Sequence, residues 1–363
     1  GIKVIANAGG VNPSACRAAL VAAARAEGVD LKIAAVLGDD LMPQLETLRA
    51  AGVKEMFSGE PFPQKVMSAN AYLGAFPIAA ALAAGADIVV TGRCVDSAVA
   101  LAPLIHAFGW TAADHDRLAQ GSLAGHLIEC GTHVTGGNYT DWETVPGWDD
   151  VGFPIAECRA DGSFVITKPE GTGGLVCPST VGEQMLYEIG DPRAYVLPDV
   201  VCDFTGVTLT QDGSDRVEVK GARGLAPTDQ AKVSVTYADG FRAMSLFMIG
   251  GIDAGAKARR VGAALLARMR RHYAQRRWPD FTDTCVEAIG AEDTYGPHAR
   301  PATREVMLKV GVRHPLKDAL ELFSREIAPI ALMSAPAITG FTGGRPKVQP
   351  VVRLFSCLIP KTQ

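Results

Sequence analysis

Between Lys3 and Trp110, short apolar runs alternate with alanine-rich stretches of helical length. Apolar runs without polar alternation suit strands buried on both faces, and parallel neighbours need a crossover that a helix supplies. This part of the chain is therefore confined to an α/β arrangement, a parallel sheet with flanking helices. "KVIANAGG" is a strand ending in a glycine turn, and Asn12 with Pro13 then cap and start a helix over Ser14 to Gly28. "LKIAAVLGDD" is the second strand, "LMPQLETLRAAG" a helix and "VKEMFSG" a short strand. We expect "SANAYLGAFPIAAALAAG" to be a helix closed by Gly85, and "ADIVVTGR" to be the next buried strand.

Ligands of open parallel sheets sit outside the carboxyl ends of the strands. Those ends read Asn7-Ala8-Gly9-Gly10, Gly38-Asp39-Asp40 and Thr91-Gly92-Arg93-Cys94-Val95-Asp96-Ser97, three polar turns expected on one rim. Glycine lets a backbone approach a ligand, and a helix N-terminus after such a turn offers N–H groups to an anion. Each is equally an ordinary strand-to-helix turn. A dinucleotide fingerprint needs G-x-G-x-x-G before the first helix and an acidic residue at the end of the second strand. Asp39 meets the second condition, but Gly9-Gly10-Val11-Asn12-Pro13 fails the first, and no phosphate loop of the G-x-x-x-x-G-K-[ST] type occurs.

"DSAVALAPLIHAFGW" and "DHDRLAQGSLAGHLIEC" are helices, the second running into "GTHVTGGNYTDW", an excursion held by glycine turns. His126 and Glu129, three apart, fall on one helix face, and His126 is either part of a site or a satisfied helix histidine. Glu129, Cys130, His133, Asn138 and Asp141 are candidates for acid–base work. Neither H-x-x-x-H nor H-E-x-x-H is present and a lone Cys130-x-x-His133 spacing is common, so we assign no metal ligand.

Further on, a hairpin turns at Asp161-Gly162, a glycine turn spans Glu170 to Gly174 beside Thr172, and a helix covers Ser179 to Ile189. Successive N–H groups at Thr172, Gly173 and Gly174 could form an anion nest. Period-two segments from Tyr195 to Gly250 suggest antiparallel strands, and "DAGAKARRVGAALLARMRRHYAQRR" is a surface helix with one buried stripe. The last portion carries two helical segments and a third glycine turn, Thr339 to Pro346. The fold class is thus α/β, a parallel sheet with flanking helices over 1–150, followed by a mixed α+β portion with antiparallel strands over 151–363.

With 363 residues, 48% apolar and 20% charged, the chain can bury a sizeable core. Its net charge of -4 offers no field for a polyanion, so we expect a small-molecule substrate as partner and neither nucleic acid nor membrane; homo-oligomerisation stays open. Eight cysteines without a C-x-x-C pair or secretory signal read as reduced thiols of a cytoplasmic protein. The sequence opens without Met on a strand already in progress, and we expect a preceding segment.

"NAGGVNPSACRAAL", "VVTGRCVDSAVALAPLIHAFGW", "GHLIECGTHVTGGNYTDW" and "PEGTGGLVCPSTVGEQMLYEIGDPRAYVLPDVVCDF", in that order, resemble the amino-terminal domain of the acyclic terpene utilisation (AtuA) family over nearly the whole chain. Members usually carry a further segment before the "NAGG" strand and some a small ferredoxin-like domain after the region matched, which we do not expect here. The resemblance implies catabolism of branched, isoprenoid acids handled as coenzyme A thioesters, beside a biotin carboxylase and acyl-CoA enzymes. It transfers no catalytic residue and leaves the cofactor unknown.

Two hypotheses follow. In the first, the chain is a lyase- or hydratase-type enzyme acting on a carboxylic acid or its thioester. Asn7, Gly9, Gly10, Asn12, Asp39, Gly136, Gly137, Asn138, Thr172, Gly173 and Gly174 bind substrate oxygens, Arg93 pairs with a carboxylate, and Glu129 with Asp96 moves protons. His133 belongs to the same catalytic set, and Cys130 is either a nucleophile or an inert buried thiol. In the second, the chain binds an acyl-CoA or scaffolds its neighbours without catalysis, and has no use for the carboxylate pair.

Overall fold

The computed structural model describes residues 1–10, 12–300, 303–340 and 344–361. Two compact units form, one of residues 1–63, 68–235 and those from Phe355 on, the other of 64–67 and 236–354. The chain opens with β1 (Val4–Ala6), α1 (Pro13–Ala26), β2 (Ile33–Val36), α2 (Leu45–Ala50), β3 (Val66–Ala71), α3 (Phe76–Ala83), β4 (Ile88–Thr91), α4 (Ala98–Phe108) and α5 (His115–Glu129). The parallel sheet has the order β1-β4-β2, with Ile5 opposite Val89 and Ala35 opposite Val90. Asn12 accepts from the N–H of Ala15 at 3.0 Å and so caps α1 as its sequence position requires.

Two local expectations are corrected. "VKEMFSG" forms turns rather than a strand, because the Glu55 carboxylate takes the N–H groups of Phe57 and Ser58 at 2.7 and 2.6 Å. "SANAYLG" is largely strand β3, not helix: Ala69 accepts from Leu41 and Ala71 donates to Asp39, so this backbone is bonded as strand. α3 starts only at Phe76, next to Pro77 and to an Asp199 carboxylate that accepts from the Ala75 N–H at 2.7 Å.

Next come β5 (Ile155–Cys158), β6 (Phe164–Thr167), α6 (Pro178–Leu186), β7 (Tyr195–Val196), β8 (Val201–Asp203), β9 (Thr208–Gln211), β10 (Val217–Lys220) and β11 (Arg223–Leu225). They make two antiparallel sheets, β5-β6-β10-β9 and β11-β8-β7. Phe164, Ile166, Val217 and Val219 join Val89, Leu101 and Leu127 in one core. α5 is buried on every face from Leu118 to Leu127. Its polar Gln120 is accommodated because the amide donates to the Val219 carbonyl at 3.0 Å and accepts from the Ala222 N–H at 2.8 Å.

The remaining elements are β12 (Gln230–Gly250), α7 (Ala254–Arg276), β13 (Asp283–Ile289), β14 (Glu305–His314), α8 (Lys317–Leu332), β15 (Ile338–Gly340) and β16 (Gln349–Pro360). In the second unit the antiparallel order is β13-β14-β12-β15, with one helix after the first strand and one after the third. This is the β-α-β-β-α-β arrangement of ferredoxin-like units, so the expectation that the chain carries no such domain is corrected. Hydrophobic residues of α7 and α8 cover one sheet face with Phe247, Leu308 and Val310. The buried stripe of α7, Val261, Leu265, Met269 and Tyr273, is the one its periodicity predicts. The two helical segments expected at the end are α8 and a 3-10 segment, Asp293–His298. Residues 341–343 of the third glycine turn lie outside the described residues.

Candidate functional site

Because β1, β4 and β2 are parallel neighbours, their carboxyl ends fall at one rim. A side chain on Gly9 would stand 2.4 Å from the Thr91 carbonyl, and one on Gly92 would stand 2.2 Å from the Asp39 carboxylate. The rim is thus closed by direct packing. Asp39 is buried and accepts from the Arg93 N–H at 2.7 Å and the Asn70 amide at 2.9 Å. Asp39 ties two strand ends together. Asn12 is occupied as a cap, and the Gly10 and Asn12 N–H groups donate to Asn7 and Gly9 carbonyls.

The polar groups at this edge open into a cleft of about 400 Å³ lined by Tyr72, Arg93, Asp96, Tyr195 and Lys232, among others. The Arg93 guanidinium lies 4.3 Å from the Tyr72 ring centre and pairs with Asp96 at 3.1 Å, while Lys232 Nζ is 5.3 Å from the same ring centre. Among the described residues Lys232 has no carboxylate partner. Burial, and then the negative fields of Glu129, Cys202, Asp96 and Glu188, push the Tyr195 phenol up to about 12. Tyr195 therefore stays a neutral donor across the physiological range.

Behind Tyr195, at a ring distance of 6.0 Å, lies His126, which is buried on α5. Its Nε2 is 3.0 Å from the Gln184 backbone carbonyl and its Nδ1 is 3.1 Å from Glu129 Oε1. A backbone carbonyl only accepts, so Nε2 donates to it and leaves Nδ1 facing Glu129. The imidazole is thus held from both sides, and the Glu129 side chain beside it is 17% exposed. Gln184, fully buried on α6, donates to the His126 carbonyl at 2.8 Å and receives His133 Nδ1 on its side-chain oxygen. Burial raises Cys130 above the usual thiol range, helped by the charges of Glu129, Glu188 and Asp96, which opposes a nucleophilic thiolate there.

The other residues singled out in the sequence lie elsewhere in the unit. Gly136, Gly137 and Asn138 line a separate groove of about 930 Å³ with Tyr139, Trp142 and Trp148. In the turn from Glu170, the N–H groups of Gly173 and Gly174 donate to the Asp150 and Pro146 carbonyls at 2.8 Å, so neither is free to hold an oxyanion. A side chain on Gly173 would stand 2.0 Å from the Gly147 carbonyl, which identifies close backbone packing as the reason for glycine. Thr172 donates its hydroxyl to Pro169, and its carbonyl accepts from Lys168.

Of the residues singled out in the sequence, Arg93 and Asp96 line this cleft, whereas Tyr72, Tyr195 and Lys232, which line it too, and Gln184 in the network behind it are not among those singled out. Tyr195 and Gln184 fall inside the fourth family-like motif, a signal available beforehand; Tyr72 and Lys232 carry none. Among the described residues no group of three or more His, Cys, Asp or Glu side chains is placed to hold a metal ion, and no helix is long and apolar enough to cross a membrane. A model of the acyclic terpene utilisation family protein AtuA matches residues 1–363. No curated protein and no solved structure matches the chain.

Proposed function

The chain belongs to the acyclic terpene utilisation family AtuA and so takes part in acyclic terpene utilisation; from that premise we propose that it is an enzyme acting on a branched carboxylic acid or its coenzyme A thioester, in a reaction of lyase or hydratase type. The observation that carries this reading is the cleft lined by Tyr195, by Arg93 paired with Asp96, and by Lys232, with both cations beside the Tyr72 ring. Lys232, without a carboxylate partner among the described residues, supplies a cation for a carboxylate or phosphate. Tyr195, a neutral phenol, donates to the substrate carbonyl oxygen as negative charge develops there. Glu129, 3.1 Å from His126 Nδ1 and close enough for its charge to act on Tyr195, is the acid–base group, since addition or loss of water beside a thioester needs one proton delivered and one removed.

The test is thermal shift of the protein with branched acyl-CoA esters and free branched acids, followed by a water-addition assay on the unsaturated thioester. Lys232→Ala is expected to remove the ligand shift, and Glu129→Gln to keep the shift while abolishing turnover. A shift without turnover in the unaltered protein overturns the enzyme and leaves a non-catalytic acyl-CoA binding or scaffolding component. Absence of any shift with either ligand class overturns the cleft as their site.

A further inference from the structure

The second unit carries a charged cleft that the reading above does not use. One face of its sheet is covered by α7 and α8, and the other bears the alternate residues of each strand: Asp283 and Cys285 on β13, Gly311 and Arg313 on β14, Arg242 and Met244 on β12. Arg313 stands directly opposite Arg242 in the antiparallel register. Like charges so placed repel across the ladder, and the local carboxylate that pairs with Arg313, Asp239 at 2.7 Å, is shared with Arg353 at 3.4 Å. Among the described residues Arg242 has no ion-pair partner, and Arg313 Nε is buried without a hydrogen-bond acceptor.

These groups surround a cleft of about 480 Å³ to which Lys347 adds a third cation; the one carboxylate among its described lining residues is Asp283, opposite Arg313 in the register on the side away from Arg242. Its floor is apolar. Gly311, lacking a side chain at mid-strand, leaves a hollow between Met244 and Cys285 in the adjacent row. We infer that this cleft binds a small molecule bearing an oxyanion, a phosphate or a carboxylate held by Arg242, Arg313 and Lys347, with an apolar portion lying in the hollow at Gly311. An oxyanion between Arg242 and Arg313 replaces repulsion by two charge-assisted hydrogen bonds, and it offers an acceptor to the orphaned Arg313 Nε.

Phenyl phosphate and benzoate, which share a ring and differ in the oxyanion, are the probes for isothermal titration calorimetry on the whole chain. Saturable binding of at least one is expected, weakened about fivefold by Arg242→Gln, the scale of one exposed charge pair. The same probe is expected to slow alkylation of Cys285, followed by peptide mass mapping, in the parent protein and not in Arg242→Gln. The stronger probe identifies the source of the oxyanion. Lys232→Ala, in the other unit, is expected to leave the protection of Cys285 unchanged, which separates this site from the cleft of the proposed function. Binding of neither probe, or binding indifferent to Arg242→Gln and without protection of Cys285, overturns the inference.

Discussion

The Arg93 guanidinium lies 4.3 Å from the centre of the Tyr72 ring while its Nη1 reaches Asp96 Oδ1 at 3.1 Å. A flat cation suits both contacts at once, because it stacks on a ring while presenting a fork to a carboxylate. Arg93→Lys keeps the charge and loses this geometry. Since the side chain is one-third exposed, we expect a stability loss of only about 0.5–1 kcal/mol, read by chemical denaturation, together with a ligand-induced thermal shift smaller than the parent's.

Gln184 is the knot of the buried network behind the cleft, bonded to the His126 carbonyl and to His133. Gln184→Leu leaves the buried His126 carbonyl and the partly buried His133 without their bonds. A loss of roughly 2–4 kcal/mol is expected, visible as a lower urea midpoint with an unchanged slope. An unchanged midpoint would show that water or rotation satisfies these groups at no cost.

Gly173 and Gly171 share a turn and make opposite demands. A methyl group on Gly173 meets the Gly147 carbonyl at 2.0 Å, whereas one on Gly171 meets open space but sits at φ +77°. Gly173→Ala is expected to cost about 2–3 kcal/mol through overpacking, and Gly171→Ala about 1 kcal/mol through backbone strain alone. Comparing the two melting curves checks the order.

Asp199 is raised above the usual carboxylate range by burial, against the opposing pull of the Ala75 N–H and Lys361. A carboxyl whose folded pKa is raised stabilises most below its unfolded value, and that contribution disappears as pH climbs through the folded value. Asp199→Asn, which keeps an oxygen for Ala75 without the buried charge, is therefore expected to raise the denaturation midpoint at pH 7. The gain should shrink as the pH falls toward about 4. A gain independent of pH would refute burial of the charge as its cause.

The thiols should separate by environment. Cys177 is held below the usual range: burial raises it, but the Ser179 hydroxyl and the N–H groups of Thr180 and Ser179 outweigh that. Burial drives Cys202 up to about 12 and Cys158 to about 11. Timed alkylation at pH 8 with mass mapping is expected to label Cys177 first and Cys202 last.

The parallel sheet, the capped α1 and the stripe of α7 were legible in the sequence because each is a local periodic pattern closed by a turn or cap residue. The helix expected over "SANAYLG" failed where pairing with distant backbone overrode local preference. The ferredoxin-like unit was missed for the same kind of reason, since its strand order β13-β14-β12-β15 is a matter of pairing and not of pattern.

The site divides along that line too. The sequence by itself determined which strand ends carry polar groups, and so brought Arg93 and Asp96 forward, with Glu129 from the end of a helix. Only the tertiary structure decided that the Gly173 and Gly174 N–H groups are spent on Asp150 and Pro146, that Asp39 is a buried tie, and that Tyr72, Tyr195 and Lys232 meet at one cleft. A residue type announces what a side chain can donate or accept. Whether that capacity is spent inside the protein or left for a ligand depends on neighbours far away in sequence, which the packing of the whole chain selects.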